Sequence, residues 1–237
     1  MSAELDKAAV QYRLEGPIAV IRLDDGKVNA LSHPVLDALH ASLDRVEQDG
    51  AKAVVLVGRE GRFSAGFDLA IMNEGIGSAN RLALKGGELA IRIYDSPRPV
   101  VLGVSGHALA MGAILLMAAD ERIGADGPFK IGLNEVAIGM TLPEFALTFA
   151  EERLSRRHLV RATSAAELYS PADAVDAGFL DRVVAAEDVV SEAIARARSM
   201  ADTLDAVAHE RTKRLLRQAS IERLRRSLEK GPVFSEE

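Results

Sequence analysis

The sequence predicts an α/β fold built on a parallel sheet. Three observations predict it. Strand patterns and amphipathic helix patterns alternate over roughly the first 130 residues, and such alternation is the trace of parallel strands joined by helical crossovers. Two of the strand patterns, Ala53–Val57 (AVVLV) and Val100–Val104 (VVLGV), are apolar at every position, as strands covered on both faces must be. From Pro143 onward helical patterns dominate. A length of 237 residues suits one domain, read as a core over 1–185 and a helical region over 186–237 of the same functional unit.

Taken in order, Val10–Leu14 and Ile18–Leu23 flank Gly16-Pro17 and read as strand, tight turn and strand. Pro34–Gln48 places apolar residues at 35, 36, 39, 43 and 46, one face of a helix. Ala53–Val57 is the first doubly covered strand, and the spacing over Arg81–Tyr94 is helical. Val100–Val104 follows Pro97 and Pro99 as the second such strand. Ala110–Ala119 is apolar all round, so a helix there is buried. Arg122–Ala125 and Phe129–Ile131 read as short strands, and Asp181–Val184 as a last one. Ser191–Met200 and Val207–Leu228 carry no strand signal. The closing helices read as a lid or an oligomerisation layer. No fixed-period repeat and no low-complexity linker interrupts the chain.

Composition removes several function classes. Without cysteine there is no disulfide framework, no thiolate metal site and no catalytic thiol. Trp is absent and aromatics are 4%, so the core is aliphatic. A net charge of −6 argues against general nucleic-acid binding. Residues 209–230 nevertheless carry eight Lys/Arg against three Glu, a basic helix suited to phosphate, to an acidic neighbouring subunit, or simply to solvent. Met1–Gln11 has no apolar signal region. The longest apolar run, Ala108–Ala119, is short of the ~20 residues a membrane span needs. A soluble cytoplasmic protein without membrane contact is therefore expected. The scattered His33, His40, His158 and His209 lack metal-ligand spacing, and no metal is expected. No GxGxxG or P-loop pattern implies a nucleotide cofactor.

Three segments can carry chemistry. Arg62–Leu69 (RFSAGFDL) follows a buried strand, and its small-small-Gly turn frees backbone N–H donors of the kind that hold an oxyanion. By itself such a turn after a strand is more often structural. Val104–Ala113 (VSGHALAMGA) again leads from a strand into a helix, whose first N–H groups lack internal partners and carry the positive end of the dipole. Donors from two parallel strand ends can converge on one carbonyl oxygen. In Ile131–Gly139 (IGLNEVAIG), Glu135 lies among apolar neighbours. Burial would raise its pKa and make it a base or acid near neutral pH; a capping or paired surface acid is the other reading.

Together with Asn29-Ala30-Leu31, the strings FSAGFDL (63–69), GHALAMGAILLMAAD (106–120), FKIGLNEVAIGMTLP (129–143) and the segment 172–183 with Gly178 resemble the enoyl-CoA hydratase/isomerase family, the crotonase superfamily, in family order and over about residues 10–215. The resemblance implies a ββα spiral core with a C-terminal helical trimerisation region, and a homotrimer or dimer of trimers. It implies an acyl-CoA thioester as substrate, with coenzyme A as carrier and no separate cofactor. The thioester carbonyl would sit between the backbone N–H groups of Ala65 and Met111. Met replaces the usual Gly at 111, which is allowed if that residue is helical and not at positive φ. Asn29, Ala30, Gly66, Phe67, Asp68, Leu69 and Gly112 fall among the positions that would bind substrate and line the CoA channel. Lys213 or a neighbour would meet the CoA phosphates.

The resemblance also frames the reaction. Relatives that hydrate efficiently use two glutamates; one matches Glu135, and Ile114 stands at the other position. A double-bond shift needs a single carboxylate that removes a C2 proton and returns it at C4. IGLNE and the apolar residue at 114 are similar to mitochondrial-type 3,2-enoyl-CoA isomerases, which favours an isomerase with Glu135 as the shuttle. Glu144 lies one residue from the catalytic position of another isomerase branch, so it is a second candidate, or else a helix N-terminal acid. A hydratase using Glu135 with Glu144, and an acyl-CoA-binding member with little activity, are the alternatives.

Overall fold

The computed structural model describes residues 8–230 and 233–234. The expected hairpin is β1 (Val10–Glu15) and β2 (Ile18–Leu23), turning at Gly16. β3 (Ala30–Leu31) leads into α1 (His33–Gln48), which Ser32 caps by accepting the Val35 N–H. Then come β4 (Ala53–Val57), β5 (Gly61–Ser64), β6 (Gly66–Phe67), α2 (Leu69–Met72) and α3 (Ile76–Tyr94). A similar unit follows: β7 (Val100–Val104), β8 (Gly106–Leu109) and α4 (Met111–Ala118). β9 (Glu121–Ala125), β10 (Ile131–Gly132) and a single 3₁₀ turn over Val136–Ile138 precede α5 (Glu144–Arg153), α6 (Arg156–Ala162) and α7 (Pro171–Ala177). β11 (Arg182–Val184), α8 (Val189–Thr203) and α9 (Ala206–Glu229) complete the described chain.

Six strands form the main sheet in the order β1-β2-β4-β7-β9-β11, parallel except for the opening hairpin. Its alternation explains the unbroken apolar runs. Val54 and Leu56 face the larger core, while Ala53, Val55 and Val57 face a second cluster closed by Ala193 and Ala197 of α8. Every residue of β4 and β7 is consequently buried.

The turns after β4 and β7 hold more structure than their glycines suggest. β5, β8 and β10 make a second, parallel three-stranded sheet, and β3 pairs with β6. These strands are two to four residues long, too short to show a period. For the same reason the strand expected over 129–131 lies at Ile131–Gly132 instead. α3 begins at Ile76, five residues before the expected start.

α4 is buried along its whole length, as its composition requires. Among the described residues five helices follow Pro143. α9 lies against α3 and α5 of its own chain, burying Ile221 and Leu224, so the helical region is joined to the core. Part of the expected 186–237 region, residues 231–232 and 235–237, lies outside the described residues. Among those described, no helix is long and apolar enough to cross a membrane.

Candidate active site

The site is assembled around the turn between β2 and β3. Asn29 is fully buried at φ +56°, a backbone conformation that Asn tolerates better than most residues. Its Nδ2 donates to the carbonyls of Leu23 (2.9 Å) and Phe63 (3.1 Å). The Ser64 hydroxyl donates to Asn29 O (2.8 Å) and accepts the Gly66 N–H (3.1 Å). Asn29 therefore ties the end of β2 to β5. Its expected place as a CoA-channel residue is corrected, because every polar atom of the side chain is engaged inside the protein. Ala30 is half-buried, and its N–H donates to Asp25 Oδ2 (3.1 Å).

The expected oxyanion donors fare differently. The Ala65 N–H donates to Val28 O (3.1 Å). It is occupied in holding this turn, so its assignment as a donor to substrate is corrected. Asp68 N–H donates to Leu31 O (3.2 Å), with Leu31 opposite Phe67. Amides alternate in direction along a strand, so the Phe67 N–H points away from β3. Gly66, at φ +93°, lets β6 pass beside α4: a Cβ there would lie 3.3 Å from Met111 N and 2.8 Å from the Ala110 Cβ. Met111 is the first helical residue of α4, and the positive φ (+50°) falls on Ala110. The Met111 N–H thus heads a helix dipole, where no intrahelical acceptor exists for it.

Other residues of these two segments serve packing. Gly112 is buried, and a Cβ on it would come 2.6 Å from Ser64 O, so glycine here permits a close approach of helix and strand. The Phe67 ring fills the space that a side chain at Gly86 would need. Asp68 caps α2 by accepting the Ala70 N–H (2.9 Å), and Leu69, first in that helix, is 60% exposed.

Glu135 is delivered to the same place by β10. Ile131 and Gly132 pair with Ala108 and Leu109, and Gly132 O accepts the Ala110 N–H (3.0 Å). Three residues on, a span of at most ~10 Å, Glu135 is 7% exposed. Its carbonyl accepts from Ile138 (3.0 Å) and Met140 (2.9 Å), which fixes the turn. Its Oε2 is buried without a partner. Desolvation pushes its pKa from the ordinary 4.5 up to about 7, opposed only by a backbone hydrogen bond. Beside it, Asn134 Oδ1 is also buried and unpartnered, a polar feature that the sequence reading passed over. Ile114 is buried one turn into α4 and offers no polar atom.

Glu144 is not part of this cluster. It opens α5, its side chain is 44% exposed, and it pairs with Lys230 of α9 (3.2 Å). Of the two readings of Glu144, this placement fits the acid at a helix N-terminus, where the dipole favours it.

Lys213 is likewise corrected. It is buried, with Nζ 2.7 Å from Asp120 Oδ2 and 3.2 Å from Arg98 O. Arg217 contacts Asp120 Oδ1 (2.8 Å) and lies 4.2 Å over the Tyr94 ring. Both cations pin α9 to the carboxylate at the end of α4 and are turned away from solvent. His107 Nδ1 accepts the Lys130 N–H (3.0 Å) and packs edge-on against Phe129.

Comparison with known proteins adds to this geometry. The family model described as Enoyl-CoA hydratase/isomerase matches residues 13–232. The chain is 35% identical to the human mitochondrial enoyl-CoA delta isomerase 1 over 213 residues, covering 87% of this chain and 70% of that protein. A probable enoyl-CoA hydratase of Bacillus subtilis is 32% identical over 200 residues, 81% of this chain and 74% of that one. A crystal structure of an enoyl-CoA hydratase/isomerase family protein from Pseudomonas syringae superposes with a TM-score of 0.91 at 39% identity, covering 94% of this chain and 96% of that chain.

Proposed function

The chain belongs to the enoyl-CoA hydratase/isomerase family, and from that premise we propose that it moves the double bond of a 3-enoyl-CoA thioester to the 2-position, with Glu135 as the proton shuttle. The observation that carries this reading is one buried, unpaired carboxyl with a pKa raised to about 7 beside a helix start whose next turn presents only Ile114. Hydration asks for a second polar group to hold water, and Glu144 is engaged at the surface.

In the proposed reaction the thioester oxygen accepts hydrogen bonds from the amides of Phe67 and Met111. Glu135 as carboxylate takes a proton from C2. The C2–H electron pair passes into the thioester carbonyl, giving a dienolate whose oxyanion the two amides stabilise. Glu135, now a carboxylic acid, returns the proton at C4, the double bond settles between C2 and C3, and the carboxylate is regenerated. No electrons are gained or lost, so the shift needs no redox cofactor. A pKa near 7 suits a group that must both take and give a proton near neutral pH. Assembly as a homotrimer or dimer of trimers belongs to the same proposal; Leu215 and Leu216 of α9, 77% and 79% exposed, support an association surface.

The test compares two rates for the purified protein, 3-enoyl-CoA isomerisation and crotonyl-CoA hydration. Isomerisation is expected to be the faster, and Glu135→Gln to lower it by two or more orders of magnitude while CoA-ester binding survives. Hydration at an equal or greater rate reverses the assignment. Binding without any turnover supports the acyl-CoA-binding alternative.

A further inference from the structure

A cavity of about 750 Å³ adjoins the site, bounded by Leu69 and Met72 of α2, Ala79 of α3, the 138–141 segment, and Val233 with Phe234. Its lining includes close chain neighbours of Phe67 and of Glu135. Leu69 lies two residues beyond Phe67, and Ile138 and Met140 donate their N–H groups to the Glu135 carbonyl. Most of the lining side chains are apolar, while Asn73, Thr141 and exposed backbone give the walls about as much polar as apolar surface. Leu69 and Ile138 are 60% and 52% exposed, large apolar surfaces of the kind that mark a binding groove.

The far wall is held by an unusual contact. Asn80 Nδ2 donates to Phe234 O (2.9 Å), and Asn80 Oδ1 accepts the Phe234 N–H (2.6 Å). A side-chain amide thus pairs with one residue of backbone as a neighbouring strand would. Asn is a poor choice for the interior of a helix, so local propensity gives no reason for it on α3, whereas the pairing does. Val233, next in line, packs partly buried against the main core.

We propose that Asn80 and Phe234 determine acyl-chain specificity: Asn80 positions the C-terminal segment so that Val233 and Phe234 wall a chamber for the distal end of a medium or long straight acyl chain. The inference rests on the reading of the site as an acyl-CoA site. At roughly 30 Å³ per chain carbon, the share of one water molecule in the liquid, half the cavity holds on the order of a dozen carbons. A chain whose carbonyl lies at Phe67 and Met111, with C2 to C4 near Glu135, runs into this space.

The experiment measures binding of butyryl-CoA and decanoyl-CoA by calorimetry to the wild type, Asn80→Ala and Phe234→Ala, which needs no turnover. Wild type is expected to prefer decanoyl-CoA. Both variants are expected to reduce the decanoyl-to-butyryl affinity ratio by about ten-fold. Phe234→Ala leaves the clamp in place, because Asn80 pairs with the Phe234 main chain, so it separates loss of the wall from loss of the clamp. An unchanged ratio in both variants overturns the proposal, as does equal loss for both chain lengths or a wild type with no chain-length preference. If the ratio falls as expected while no isomerisation is detected, the reaction assignment fails and the chamber stands.

Discussion

Glu135→Gln separates the raised carboxyl pKa from catalysis, because it should make the protein less active and, above neutral pH, more stable. In the folded state the pKa is about 7 against an ordinary 4.5. The folded protein therefore binds more protons than the unfolded chain between these values, and stability falls as pH rises through that window. Each unit corresponds to about 1.4 kcal/mol, so ionising Glu135 in place costs the native state about 3 kcal/mol once the pH is above 7. The cost is absent below pH 4.5, and at pH 5.5 it is about 1.4 kcal/mol. Gln has nearly the same shape and no charge to desolvate. Relative to wild type, the variant should gain about 2 kcal/mol between pH 5.5 and pH 8, read by urea unfolding at 25 °C. In thermal unfolding the pH 8 difference corresponds to roughly 6–12 °C for a chain of this size. A constant offset between the two proteins across this range would refute the reasoning, since it would mean that Glu135 titrates alike in both states.

Three further outcomes follow from the same geometry. The isomerase kcat/KM should rise ten-fold per pH unit below about 7 and level off above it, because only the ionised Glu135 removes a proton; a profile flat from pH 5 to 8 would assign the base elsewhere. Gly66→Ala puts a Cβ 2.8 Å from the Ala110 Cβ and 3.3 Å from Met111 N, at φ +93°, so isomerisation should fall about 10²-fold, the effect of losing one oxyanion donor; steady-state rates near wild type would show that β6 and α4 need not be so close. Lys213→Met removes one cation from the buried Asp120 carboxylate and should cost about 3 kcal/mol of stability by denaturant titration, with the KM for acyl-CoA changed less than two-fold; a ten-fold rise in KM would place Lys213 at the CoA phosphates after all.

Much of the framework was legible because its signals are local and long enough to repeat. AVVLV and VVLGV state double coverage outright, and the all-apolar 110–119 segment states a buried helix. The site residues were legible only in part. Glu135 stood out as an acid among apolar neighbours, and Met111 was singled out only through the family resemblance. Asn29, Gly112 and Lys213 were drawn toward the substrate because their segments lie beside it, yet their side chains or packing face inward. Nothing in the local sequence distinguishes the two cases, since the Asn29 partners are Leu23 and Phe63, and the Lys213 partner lies 93 positions earlier.

The proposed donor at Phe67 in place of Ala65 makes the same point at the backbone. Which amide of FSAGFDL is free depends on which carbonyl of the preceding turn takes the others. Val28 takes that of Ala65 and Leu31 that of Asp68. The strand-by-strand alternation and the apolar core were determined by the sequence alone, because burial and periodicity are properties of neighbours in the chain. The direction of each amide, the pairing of Asp120 with Lys213 and Arg217, the exposure of Glu144 and the clamp from Asn80 to Phe234 were decided only by the tertiary structure. Hydrogen bonds and ion pairs are contacts a few ångströms long between groups that can stand a hundred residues apart, and only the folded chain brings them within reach.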